Sequence, residues 1–243
     1  MNKLAMATEQ CPHPAGAKWL AIPQPNPADS TEQRLPVLPL EAPITRHLAY
    51  HLYPRLNTPW EWNVEQLFRR LSLFNGRRLI GLVTDGHSAT ESEVFAKFAA
   101  LDPNHRCEFV IRPNDQRKKE AVTFELLLSK LESTNPNELI FRAHAKSGTL
   151  GNPKARLPTW DESILSNWIR GMYEALLDDY LAAEAALQDH AVVGAFRRRS
   201  RLGTTGAAWY MAGSFYWLRS AAVFSRDWRA AIDKGFLTAE AFP

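Results

Sequence analysis

Near the middle of this 243-residue chain an apolar run, Leu139-Ile-Phe-Arg-Ala143, gives way to His144, Lys146 and Ser147 ahead of Gly148 and Gly151. An imidazole, an ammonium and a hydroxyl where a strand runs out can hold a small anion or move a proton. The strand keeps their backbone still and the glycines let a ligand come close. Three other apolar runs end in polar groups of the same kind. Tyr53-Pro-Arg55 follows the first, Thr84-Asp-Gly-His87 the second and Arg112-Pro-Asn-Asp115 the third. Asp85 stands where an acid can reach the ribose or base of a nucleotide, although Asp85-Gly86 is also an ordinary turn. Tyr53 can stack on a base or complete the core. The basic run Arg197-Arg-Arg-Ser-Arg201 reads as a loop able to touch a phosphate, Arg197 first.

Other chemistries lack their signatures. Ser88, Ser147 and Ser214 offer no Gly-x-Ser-x-Gly elbow, and no Gly-x-x-x-x-Gly-Lys-Ser/Thr loop is present. His47 and His51 are four apart, but in a strand they share a face as alternate residues and do not form a helical zinc pair. No metal site is expected. Cys11 and Cys107 have neither metal nor redox spacing and point to a reducing, cytoplasmic compartment.

The elements that must position these groups follow from periodicity. His47 to Tyr53, Leu79 to Val83, Glu108 to Ile111 and Leu139 to Ala143 are short apolar runs and read as strands. Between them, Thr58-Pro-Trp-Glu61 and Thr90-Glu-Ser-Glu93 carry capping-box spacing, as does Thr159-Trp-Asp-Glu162 further on. Trp60, Val64, Leu67, Phe68 and Leu71 share one helical face up to Asn75-Gly76, and Ile164, Trp168, Met172 and Leu176 share another. A further helix is expected over Lys118 to Leu131. Strands joined through helices lie parallel with right-handed crossovers, so the pattern predicts an α/β/α three-layer domain with a mostly parallel sheet, binding ligands beyond the strands' carboxyl ends.

Ala191 to Phe196 is one more strand, and the stretch from Trp209 to Arg219 reads as another, apolar on both faces and therefore central. Its small middle, Ala212-Gly-Ser214, suggests close approach of a backbone or a ligand. Arg226 to Lys234 suggests a last helix.

Half of the 16 prolines lie at or before Pro43, so residues 1–43 read as a flexible leader and 44–243 as a single folded domain. A 45% hydrophobic, 23% charged composition allows a sizeable core. The net charge of +3 is too small for a nucleic-acid surface, and no nucleic acid is expected as partner. No segment has the length of a transmembrane span, and peripheral membrane contact is compatible with this reading.

The combination of His47-Leu-Ala-Tyr-His-Leu-Tyr-Pro54, Trp60-Glu-Trp-Asn63, Phe74-Asn-Gly-Arg-Arg78, Phe141-Arg-Ala-His-Ala-Lys146 and Trp209 to Arg219 resembles a group of largely uncharacterised bacterial proteins. They are related to glycosyltransferases of the nucleotide-diphospho-sugar transferase (GT-A) fold. The resemblance runs from about Arg46 to the C-terminus. It implies a Rossmann-like GT-A fold with a donor-binding half, 44–151, and an acceptor half, 152–243, truncated at its C-terminus. It also implies a nucleotide-sugar donor, a cell-surface or exopolysaccharide glycan acceptor, and hexosyl transfer as the reaction. Tyr53, Asp85, Ser147 and Arg197 would then serve the donor, and Trp209, Tyr210, Gly213, Ser214 and Arg219 the acceptor side.

Where such enzymes carry an Asp-x-Asp that holds a divalent metal, this chain has His144-Ala-Lys146. Two readings follow. In one, Lys146 with His144 neutralises the leaving diphosphate without metal. In the other, the fold persists as a catalytically silent binding or assembly module. A phosphate-recognising enzyme of another class is the third alternative.

Overall fold

The structure is a computed structural model that describes residues 39–145, 162–199, 209–211 and 213–232, with Ala239 and Phe242. Val37–Pro243 form one compact unit. Four strands, β1 (Thr45–Leu52), β2 (Arg78–Thr84), β3 (Glu108–Pro113) and β4 (Glu138–His144), are linked through α1 (Trp60–Phe68), α2 (Glu91–Leu101) and α3 (Ala121–Lys130). After α4 (Glu162–Tyr173) and α5 (Tyr180–Leu187) come β5 (Val192–Gly194), β6 (Arg197–Arg199), β7 (Trp209–Met211), β8 (Tyr216–Arg219) and α6 (Ser220–Phe224).

Six strands form one sheet in the order β3-β2-β1-β4-β8-β5, while β6 and β7 pair separately. β1, β2, β3 and β4 are mutually parallel, and β8 runs antiparallel to both of its neighbours. The chain is therefore α/β with a mostly parallel sheet, compatible with a Rossmann-like fold.

The apolar runs are nearly continuous because neighbouring residues of these strands enter two different apolar clusters. Leu48, Tyr50 and Leu52 of β1 join Val64, Leu67, Val94, Phe98 and Met172 in one apolar cluster. Ala49, Leu79 and Ile140 join Phe124, Leu127 and Leu128 of α3 in the other. Phe68 of α1 meets Phe98 of α2 edge-on at 5.1 Å. In β2, Gly81 is required by packing: a Cβ there would lie 2.6 Å from Thr123 on α3.

Local signals had mixed outcomes. At α2 the capping box forms as written, with Glu93 N donating to Thr90 Oγ1 at 3.3 Å and Thr90 N donating to Glu93 Oε2 at 2.7 Å. At α1 it does not. The Thr58 hydroxyl donates instead to Arg55 O at 2.6 Å, and the helix starts one residue later than expected, with Pro59 as its N-cap. α1 also ends at Phe68, and Leu71 lies in a separate 3-10 turn, Leu71–Leu73. Asn75 does not stop a helix; its side chain accepts from Arg46 N at 2.7 Å and donates to Ile44 O at 3.0 Å, fixing the turn to the start of β1. Thr159 lies outside the described residues.

The single strand expected over Trp209 to Arg219 is corrected. β7 stops at Met211, and Gly213 and Ser214 have φ of +101° and +55°, which turns the chain before β8. Alternating side chains gave no warning of this, since a left-handed turn between two apolar segments preserves the alternation on either side. β8 is nonetheless central, between β4 and β5. The helix expected from Arg226 is replaced, among the described residues, by turns that bury Trp228 against Phe224 at 5.5 Å. At the other end Leu40 already belongs to the core, and its N–H donates to Gln188 Oε1 at 2.9 Å.

Candidate functional site

Strand order reverses between β1 and β4: the chain steps outward from β1 to β3 and then returns to β1's other side. In open α/β sheets ligands bind in the crevice outside the carboxyl ends at such a point. Here the register sets His51 beside His144, and Ala145 N donates to His51 O at 2.9 Å.

Below that edge lies a buried polar cluster. Arg142 is fully buried, and its Nη2 donates to Glu120 Oε2 at 2.5 Å, while Nη1 donates to Ala143 O. Its guanidinium also faces the Phe124 ring, 5.5 Å from the centroid. A buried guanidinium needs a carboxylate, and Glu120 stands at the N-cap of α3, where the helix dipole also favours negative charge. The same carboxylate gathers two more groups. His144 Nδ1 is 3.4 Å from Oε2, and Ser214 Oγ donates to Oε1 at 2.9 Å. Glu120 thus ties the end of β4 to the turn before β8.

His51 sits next to this cluster, with Nδ1 2.8 Å from Thr123 Oγ1. Burial lowers its pKa to about 4; Glu120 pulls it upward and Arg142 adds to the lowering. The folded state therefore holds a neutral imidazole, whereas the unfolded chain takes up a proton near the ordinary value of about 6.5. Because the folded pKa is depressed, this contribution to stability is present above about pH 6.5 and is lost as pH falls toward 4. His51→Asn, which keeps a partner for Thr123, is expected to flatten the fall of unfolding free energy in that window by up to about 1.4 kcal/mol per pH unit. Urea midpoints of both proteins across that window measure it, and parallel curves would refute the assignment.

A second cluster joins the ends of β1, β2 and β3. The Asp85 carboxylate accepts from Tyr53 OH at 3.0 and 3.1 Å, from Asn114 Nδ2 at 2.7 Å and from His87 N at 2.8 Å. Partial burial works against the charge on Asp85, but the bonds from Asn114, His87 and Tyr53 outweigh it and hold the pKa below the usual carboxylate value. Burial, and then Asp85 itself, pushes the Tyr53 phenol up to about 12. Tyr53 remains a neutral donor beside a carboxylate.

Tyr53 and Asp85 are therefore brought together, as are His144 and Ser214, each pair at the carboxyl ends of the strands. Gly213 packs into the core: a Cβ would stand 2.9 Å from Met172 Sδ and 3.3 Å from Trp168 Cζ2. Arg197 is exposed on β6, opposite Met211. Trp209 and Tyr210 pair through their backbones with Arg199 and Arg198. Lys146 and Ser147 lie outside the described residues. Arg219 is not brought to this edge. β8 runs antiparallel, so Arg219 pairs with Leu139 at the start of β4, about 16 Å along the strand from His144. There it is buried and donates to Leu187 O at 3.0 Å.

Glu120 and Thr123 carry no signal in the sequence, and Asn114 enters only within the polar stretch Arg112-Pro-Asn-Asp115. Arg142 carried a legible signal, because a lone cation inside an apolar strand needs a buried acid. Nothing local marks Glu120 as that acid.

Among the described residues no three His, Cys, Asp or Glu side chains converge as metal ligands would. No described helix is long and apolar enough to cross a membrane. A comparison with family models finds no match. Comparisons with curated proteins and with solved structures find none either.

Proposed function

We propose that the chain is a nucleotide-sugar-dependent glycosyltransferase with a three-layer, GT-A-like architecture, using Lys146 and His144 in place of an Asp-x-Asp metal site and acting on a cell-surface or exopolysaccharide glycan in the cytoplasm. The observation that carries this reading is the shared carboxylate. Glu120 bonds Ser214 of the second half of the chain and lies 3.4 Å from His144 of the first, so both halves meet at the carboxyl end of β4. A transferase needs its donor and acceptor sides to meet in this way. In this reading Asp85, oriented by Tyr53 and Asn114, takes the nucleoside hydroxyls, Ser147 and Arg197 serve the phosphates, and Trp209 and Tyr210 serve the acceptor side. Lys146 stabilises the negative charge that develops on the leaving diphosphate.

One observation favours the silent-module alternative: both Asp85 oxygens already accept hydrogen bonds within the fold. A thermal-shift titration separates the two. Wild type and Lys146→Ala are melted with nucleoside diphosphates and nucleotide sugars, each with and without manganese. At about 100 times its dissociation constant, a ligand of the native state adds about 2.7 kcal/mol and raises Tm by about 5–10 °C. A transferase is expected to respond to one nucleotide class, to lose that response in Lys146→Ala and to be indifferent to manganese. If no nucleotide shifts wild type, the silent module takes its place.

A further inference from the structure

The site leaves the outer edge of the sheet unused. β3 pairs with β2 on one side, and among the described residues no strand pairs with its other edge. Asn114 N donates to Thr84 O at the end of β2. With a strand's period of two, the N–H groups of Val110 and Arg112 therefore face β2, and those of Phe109 and Ile111 face outward. Two details agree with this. Arg112 Nη1 folds back onto Ile111 O at 3.2 Å, and Pro113, which has no N–H to offer, occupies a position whose donor would point out of the sheet.

Beside this edge is an apolar groove of about 530 Å³, lined by Phe95, Phe98, Cys107 and Phe109 together with Asp102 and His105. Phe95 is 38% exposed, and its ring meets Phe109 edge-on at 4.9 Å. An open strand edge next to exposed aromatic surface is ordinarily charged, covered or paired.

We propose that β3 pairs antiparallel with β3 of a second copy of this chain, about a two-fold axis through Val110, so that two six-stranded sheets join edge to edge. The stretch Glu108-Phe-Val-Ile-Arg112 is complementary to itself when read in opposite directions. Glu108, whose carboxylate accepts from Arg77 Nε at 2.9 Å and from Arg77 Nη2 at 2.7 Å within its own chain, meets Arg112 of the second copy and is shared between the two guanidinium groups, and Arg112 likewise meets the second copy's Glu108, on the same face as the Val110 pair. On the other face Phe109 meets Ile111. Opposite charges and apolar pairs directly across an antiparallel ladder are the favourable cross-strand combinations. The outward groups also fit: Phe109 and Ile111 of one copy exchange backbone hydrogen bonds with Ile111 and Phe109 of the other, and Pro113 lies beyond them. Such an axis stands perpendicular to the sheet and keeps each α2 on the same face, so the two Phe95–Phe109 grooves close against each other. The contact is isologous, and it ends at a dimer instead of propagating.

Sedimentation of the full chain over a concentration series tests this. Wild type is expected to reach twice the 27.5 kDa of one chain. Glu108→Arg places arginine opposite arginine at both ends of the seam, and Arg112→Glu places two carboxylates there. Each is expected to weaken the dimer about tenfold or more, and the Glu108→Arg/Arg112→Glu double variant to restore it. The Glu108 side chain is 50% exposed and Arg112 is exposed, so melting curves should show every variant folded. A wild type that stays monomeric throughout, single variants that dimerise like wild type, or a double variant that fails to recover would each overturn the proposal.

Discussion

Glu120→Ala is expected to lower stability by about 3–5 kcal/mol, because it leaves the fully buried Arg142 guanidinium without its carboxylate. The cost comes from stranding a charge, not from losing an attraction of that size. Arg142 Nη2 lies 2.5 Å from Glu120 Oε2, and in the low-dielectric interior beside Phe124 that bond offsets the desolvation of both ions. Removing both charges should therefore harm less than removing one. Glu120→Ala/Arg142→Met is expected to recover most of the loss, since methionine fills the strand position without a charge to satisfy. Equilibrium urea unfolding of the two single variants and the double variant closes the cycle. A single-variant cost below about 1 kcal/mol, or a double variant no more stable than Glu120→Ala, would show that the pair is not what holds this edge. Because Glu120 also gathers Ser214 and His144, its loss is expected to loosen the turn before β8 as well.

Trp217→Ala should be comparably damaging, at about 3–5 kcal/mol. Trp217 lies in β8 at 2% exposure, against Phe141 at 5.0 Å and Phe74 at 5.9 Å between ring centroids. Its Nε1 donates to Leu176 O at 2.8 Å. Leu176 belongs to the π-helical segment Glu174–Asp178, which separates α4 from α5. The indole thus fills the core between β4 and the helices and also supplies a donor to a carbonyl where the regular i to i−4 pattern is broken. Trp217→Phe separates the two roles. It keeps most of the packing but leaves a buried carbonyl without that donor, for an expected cost of about 1–3 kcal/mol. Thermal and urea unfolding would rank alanine well below phenylalanine; equal losses would mean that packing at this position counts for little.

Much of the fold was legible because its determinants are local or periodic. The four leading strands appear within a residue or two of their apolar runs, and α2 begins where Thr90 and Glu93 said it would. A capping box needs only residues three apart, and at α2 nothing competed for the threonine. At α1 something did. The Thr58 hydroxyl was taken by Arg55 O, whose position depends on the loop leaving β1, and the same sequence signal then failed.

The site divides along the same line. From its sequence this protein determined that polar groups follow each strand, that Tyr53, Asp85 and His144 stand at carboxyl ends, and that Arg142 interrupts an apolar run. Only the tertiary structure decided which of them meet. Glu120 is 22 residues from Arg142 and 94 from Ser214 along the chain, yet hydrogen-bonds both. Arg219 resembles Arg142 in the sequence, as a lone cation in an apolar stretch, but the turn at Gly213 and Ser214 sends β8 antiparallel and carries Arg219 to the opposite end of the sheet. Periodicity records which face of a strand is buried. It carries no information about the direction in which that strand is laid beside its neighbour, because reversing a strand leaves the alternation of its side chains unchanged.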